Sequence, residues 1–148
     1  MKIAMIGWAG CVVLLAGCGG PTVLRVKGVK PMNENDLKES TPVDIRIFQL
    51  KDDARFKQAP IENLWTKAKE ALSEDWVAEK RATVFPGVAE DQPRDVVLGT
   101  LETSTRFVGI LALFPKEDDK ATRKVVVPAG DAGSGIFELR GYHITWVR

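Results

Sequence analysis

The chain has 148 residues, two Cys, one His and a formal net charge of +1. A length of this order suits one domain, and 45% hydrophobic residues suffice for a core, which excludes wholesale disorder. Two Cys and one His exclude a disulfide-stapled miniprotein, a four-Cys zinc site and most His-based chemistry, and a charge near zero argues against the broad basic face that a nucleic-acid binder needs.

Residues 1–17, MKIAMIGWAGCVVLLAG, carry Lys2 as their only charge. A positive start followed by about fifteen apolar residues is the pattern of a signal peptide. As a helix that run would be about 22 Å long, short against a hydrocarbon core of about 30 Å. Small residues then close it, in Leu15-Ala16-Gly17-Cys18 followed by Gly19 and Gly20. This tetrapeptide resembles the lipobox of bacterial lipoproteins, in which the Cys thiol is alkylated with diacylglycerol, the preceding peptide is cut and the new amino group is acylated. The resemblance implies that residues 1–17 are removed, that Cys18 carries the lipid, and that 18–21 form a tether. A domain over 22–148 would follow. In that family an Asp after the Cys marks retention at the inner membrane, so Gly19 implies the outer membrane, facing the periplasm. Each buried methylene contributes about 0.8 kcal/mol, so three acyl chains hold where a single chain binds marginally. The mature chain would carry 20 basic and 20 acidic residues and one Cys, leaving no internal disulfide.

In chain order, TVLRVKGV (22–29) partly alternates and reads as a strand. PMNENDLKESTP (31–42) is a long polar connection with Pro at both ends. VDIRIFQL (43–50) alternates, with Val43, Ile45 and Ile47 opposed to Asp44 and Arg46. Phe48 and Leu50 then fall on the other parity, which calls for either a bulge or a strand covered on both faces. PIENLWTKAKEAL (60–72) sets Ile61, Leu64, Trp65, Ala68, Ala71 and Leu72 on one helical stripe behind an N-terminal Pro60. At this spacing Trp65 reads as core rather than as a ligand platform. Strand patterns return at 76–85, 95–101, 106–114, 122–127 and 135–147. The nearly all-apolar 107–114 suits a central strand covered on both faces, and Gly141 sits where parity changes in the last segment, as at a bulge. About seven strands and one helix, without regular intervening helices, predict an antiparallel β-sandwich with one inserted helix.

Chemical motifs are scarce. His143 lies in a strand and reads as structural. Ser134 in Gly-Ser-Gly lacks the spacing of a nucleophile elbow. Glu117-Asp118-Asp119 lacks the spaced ligands of a calcium loop. Asp52-Asp53 are adjacent rather than opposed, as a glycosidase pair would be. No catalytic constellation, metal cluster or cofactor motif is expected, apart from covalent lipid on Cys18.

The lipobox, Thr41-Pro-Val-Asp-Ile-Arg-Ile-Phe-Gln-Leu-Lys51 with Phe56 beyond it, the helical stripe, Phe107-Val-Gly-Ile-Leu-Ala-Leu-Phe114 and the aromatic-rich last segment together resemble the TssJ (SciN, VasD) family of type VI secretion outer-membrane lipoproteins. Phe48 stands where that family commonly has Tyr. The resemblance implies a transthyretin-like two-sheet sandwich and a non-enzymatic role. Such a protein binds the periplasmic domain of the inner-membrane protein TssM and anchors the membrane complex to the outer membrane, with no nucleic acid and no small-molecule substrate. The contact would fall on the loop after the first strand, here Asn33, Glu34, Asn35, Asp36, Leu37, Lys38 and Glu39. Residues 31–42 carry a net charge of −2, able to orient a basic surface, and Leu37 could add apolar contact. A transthyretin-like carrier and a pilotin-type assembly lipoprotein of another envelope machine remain as alternatives.

Overall fold

The computed structural model describes residues 19–87, 93–115 and 122–148. The signal segment, Cys18 and the Glu117–Asp119 run lie outside the described residues.

Two four-stranded sheets form a sandwich. One has the order β4-β1-β7-β8 and the other β3-β2-β5-β6. In chain order the elements are β1 (Thr22–Met32), β2 (Val43–Leu50), the short helices α1 (Ala54–Gln58), α2 (Ile61–Thr66) and α3 (Ala68–Leu72), a 3-10 turn (Ser73–Asp75), β3 (Trp76–Val84), β4 (Arg94–Gly99), β5 (Phe107–Leu113), β6 (Lys124–Pro128), β7 (Ile136–Gly141) and β8 (His143–Val147). The expected mainly β, two-sheet class holds. The second sheet is antiparallel throughout, whereas in the first β1 runs parallel to β7.

Periodicity decides which way each strand faces. Leu24, Val26, Phe137, Leu139 and Ile144 of the first sheet meet Val43, Ile45, Ile47, Val108, Ile110 and Ala112 of the second in one core. The opposite parity of the second sheet, Phe48, Leu50 and Leu111, packs under the helices with Phe56, Leu64, Ala68 and Leu72. The parity change after Ile47 therefore reflects a strand covered on both faces. The near-continuous apolar run of β5 has the same cause, since it lies between β2 and β6 with core on either side. Each fully buried Phe or Leu contributes about 1.5–3 kcal/mol, so the helical layer is held by a second core and not by its own propensity.

Three features differ from the sequence reading. The stripe over 60–72 is no single helix. It breaks at Lys67, whose φ of −143° and ψ of 49° are not helical, and α2 and α3 keep Leu64, Ala68 and Leu72 buried across the break. An additional short helix, α1, buries Phe56. The segment 135–147 is a hairpin rather than one bulged strand: Arg140 faces His143, and Gly141 takes φ +58° at the first turn position. Gly at that place, with φ negative at Tyr142, suits a type II′ hairpin.

Phe56 lies on the backbone of β5 because residue 109 has no side chain. A Cβ there would meet Phe56 Cε1 and Cζ at 3.0 Å and Leu50 Cδ1 at 3.2 Å. Gly109→Val should cost about 1–3 kcal/mol through overpacking. Urea unfolding checks this, and an unchanged midpoint would show that the helical layer is loosely seated.

Candidate functional site

The connection between β1 and β2 is a small, internally braced hairpin. Glu34 and Ser40 form a bridge, Asn35 N–H donates to Glu39 O (3.0 Å), and Lys38 N–H donates to Asn35 O (3.0 Å). Asn35 organises the tip from within. Its Oδ1 accepts from the Leu37 and Glu39 N–H groups at 2.9 and 3.0 Å, and its Nδ2 donates to Glu39 Oε2 at 3.0 Å. This is an Asx turn, the local bonding that makes Asn a turn residue. Lys38 takes φ +62°, the left-handed position that follows a type I turn in such loops. Lys38→Gly should therefore stabilise the domain by about 0.5–1 kcal/mol. Thermal unfolding of the pair tests it, and a lower Tm for the Gly variant would contradict the strain argument.

The base of the loop is held to the first sheet. Asn33, only 6% exposed, donates through Nδ2 to Thr41 Oγ1 (2.8 Å) and Pro42 O (3.0 Å), and Thr41 Oγ1 donates to Asn33 O at 2.6 Å. Asn33 N–H donates to Gly141 O (2.8 Å), and Tyr142 Oη donates to Glu34 O (2.9 Å). The β7–β8 turn thus braces the loop, a role for Tyr142 that sequence reading missed. An aromatic residue beside a hairpin Gly is a faint signal, and only the parallel pairing of β1 with β7 brings it to this loop.

Of the seven predicted contact residues, Asn33 lies beneath the loop, Glu34 and Asn35 are half-buried, and Asp36, Leu37, Lys38 and Glu39 are exposed. Leu37 is 78% exposed, the largest value among the described exposed large hydrophobic residues. A braced backbone therefore presents one apolar side chain among Asp36, Lys38 and Glu39.

The other candidates have structural employment. His143 Nδ1 accepts the Thr122 N–H (3.1 Å), and Ile144 N–H donates to Thr122 O (2.8 Å), which ties β8 to the segment before β6. Ser134 Oγ donates to Asp131 O within its own turn (2.8 Å). Asp52 Oδ1 accepts the Ala54 N–H at the start of α1 (2.8 Å), and Asp53 pairs with Lys57 one helical turn on. Trp65 packs half-buried against the helix-side core, as its spacing predicted. Lys124 Nζ donates to the carbonyls of Phe56, Lys57 and Ala59 at 3.1, 2.7 and 2.9 Å, closing the end of α1. Burial pushes its pKa below the ordinary lysine value. No group of three potential metal ligands occurs among the described residues, and no described helix is long and apolar enough to cross a membrane. A surface cleft of about 460 Å³ between α2 and the end of β5, lined by Ile61, Trp65, Leu113 and Phe114, is open to solvent.

The chain is a small two-sheet sandwich protein with helices on one outer face and an internally braced loop at one end. The chain belongs to the family of type VI secretion lipoproteins described as VasD, EvfM and TssJ, whose model matches residues 21–142. That family is a structural component of the secretion machine, and the chain is not an enzyme. Three solved structures are similar. Serratia marcescens Lip, a membrane-bound component of the type VI secretion system, aligns with TM-score 0.75 at 16% identity, over 88% of this chain and 99% of Lip, a likeness of fold alone. The lipoprotein TssJ1 of Pseudomonas aeruginosa aligns with TM-score 0.68 at 25% identity, over 86% and 95% of the two chains. A chain of a type VI membrane complex aligns with TM-score 0.72 at 25% identity, over 87% and 98%. No curated protein sequence matches the chain.

Proposed function

We propose that this lipoprotein anchors the type VI membrane complex to the outer membrane, lipidated on Cys18 and facing the periplasm. Its loop Asn33–Glu39 binds the periplasmic domain of TssM. Family membership and the likeness to a chain of a type VI membrane complex support the assembly role. The observation that carries the loop assignment is Leu37, held exposed at the tip of a hairpin that is braced from inside by Asn35 and from below by Asn33, Thr41 and Tyr142. A preformed loop loses little conformational entropy on docking, so its apolar tip and its charges act at nearly full strength. The acidic balance of the loop favours a basic partner surface.

In this reading residues 1–17 are removed, 18–21 form the tether, and 22–148 form the head. The mechanism needs no turnover. Acyl chains hold one end and the loop holds the other, so position is transmitted across the periplasm and two anchors in one assembly add avidity. Cys18→Ser should leave the protein uncleaved or soluble, with no acyl mass on the N-terminus. Unchanged outer-membrane fractionation of that variant would refute lipid anchoring. Pull-down of the periplasmic TssM domain by the isolated head tests the loop independently.

A further inference from the structure

We propose that the end of the sandwich opposite the Leu37 loop is a membrane-apposed base that rests on the lipid headgroups and holds the loop away from the bilayer. The inference rests on lipidation at Cys18 and concerns a surface to which the preceding reading gives no role.

Strand β1 links the two ends of the sandwich. It begins at Thr22, next to the tether, and ends at Met32, where the loop begins. Ten steps at about 3.3 Å per residue separate these points by about 30 Å. Pairing places other chain ends beside Thr22. Gly99, the last residue of β4, is its partner, Ile136 at the start of β7 faces Arg25, and Val147 faces Ile136. The connections 100–106 and 129–135 therefore lie at the tether end. Both are held firmly. Gln49 Oε1 accepts from Glu102 N–H (2.9 Å) and from Thr105 Oγ1 (2.8 Å). Ala129 N–H donates to Arg106 O (2.8 Å), and Arg148 pairs with Asp131 at 2.9 Å.

The length of the tether determines what this base meets. From Cys18 to Thr22 the chain can extend at most about 14 Å. The headgroup layer occupies about 5–8 Å of that on each side of the hydrocarbon. The remaining gap, under about 10 Å, is less than the diameter of one helix. No protein layer fits between, so the base faces phospholipid. Its exposed side chains suit a mixed-charge headgroup surface: the small hydroxyls Thr103, Ser104 and Ser134, with Glu102 and Arg106 of opposite sign, Arg148 held by Asp131 and Val147 half exposed.

The test uses the full lipidated protein in phospholipid vesicles. With Cys18 alkylated, a single added Cys is labelled uniquely. A fluorophore is placed at Ser104→Cys in the base, Thr145→Cys on the outer face of the first sheet, or Leu37→Cys at the loop tip. Nitroxide on the lipid headgroup serves as a contact-range quencher. Quenching should be several-fold stronger at 104 than at 145 or 37. Stronger quenching at 145 means that the head lies on its side, and equal weak quenching at all three means that it stands clear of the bilayer; either result overturns the proposal. A protein that fails to float with the vesicles overturns lipid anchoring itself, and the apposed base with it.

Discussion

Leu37→Ser should weaken binding of the periplasmic TssM domain roughly ten- to a hundredfold while leaving the melting temperature of the head unchanged. The magnitude is that of one leucine taken out of an interface, about 1.5–3 kcal/mol. The unchanged stability follows from its 78% exposure, since Leu37 adds nothing to either core. Asn35→Ala should act differently. It removes the acceptor that holds the Leu37 and Glu39 N–H groups, so the loop must be ordered again on binding. It should lower affinity through slower association and a less favourable binding entropy, with its charges intact. Calorimetry and stopped-flow mixing on the isolated head separate the two. A Leu37→Ser head that binds with wild-type affinity would remove the loop tip from the interface.

The largest loss of stability is expected at Arg46. The residue is 5% exposed, and its guanidinium lies between the second sheet and the helical layer. Nη2 donates to both Glu79 oxygens at 2.6 and 2.7 Å, Nη1 donates to Leu64 O at 3.0 Å and to Trp65 O, and the group lies 5.5 and 5.6 Å from the Phe48 and Trp65 rings. One side chain thus supplies donors to carbonyls near the end of α2 and pins that helix to β3. Arg46→Ala strands the two carbonyls and leaves the partly buried Glu79 carboxylate with the more distant, exposed Arg81 (3.8 Å) in place of its two close bonds. The expected cost is about 3–5 kcal/mol, or about 10–20 °C in Tm for a domain of this size. Replacing both partners, Arg46→Met with Glu79→Leu, should recover much of this, because no unpaired charge remains. If the double variant is as unstable as Arg46→Ala, the carbonyl bonds rather than the ion pair carry the cost. Partner binding should survive in any variant that folds, since Arg46 lies under the helices and not at the loop.

Arg46 also shows where reading along the chain reaches its limit. In VDIRIFQL its alternation with Ile45 and Ile47 places it on the face opposite the intersheet core, and that parity is correct. Whether that face meets water or a second layer depends on a helical segment whose docking site is set by Gly109, about sixty residues further on. Leu37 was legible, because one apolar residue among Asn, Asp, Lys and Glu stands out in any register. Its support by Tyr142 was not legible, because β1 and β7 are more than a hundred residues apart and pair in parallel. The helical stripe was legible as a buried face, and the break at Lys67 was not, since a stripe reports which side is apolar and says little about whether the backbone runs unbroken.

The sequence by itself determined the two-sheet class, the doubly covered strand β5 and the position of the polar loop. Each of these is a property of a short window, where side-chain period or turn chemistry acts locally. The tertiary structure alone decided that β1 pairs in parallel with β7 and that Arg46 is buried. Those facts come from closing long loops around a shared core, and the free energy that selects them is spread over both cores rather than written in any one segment.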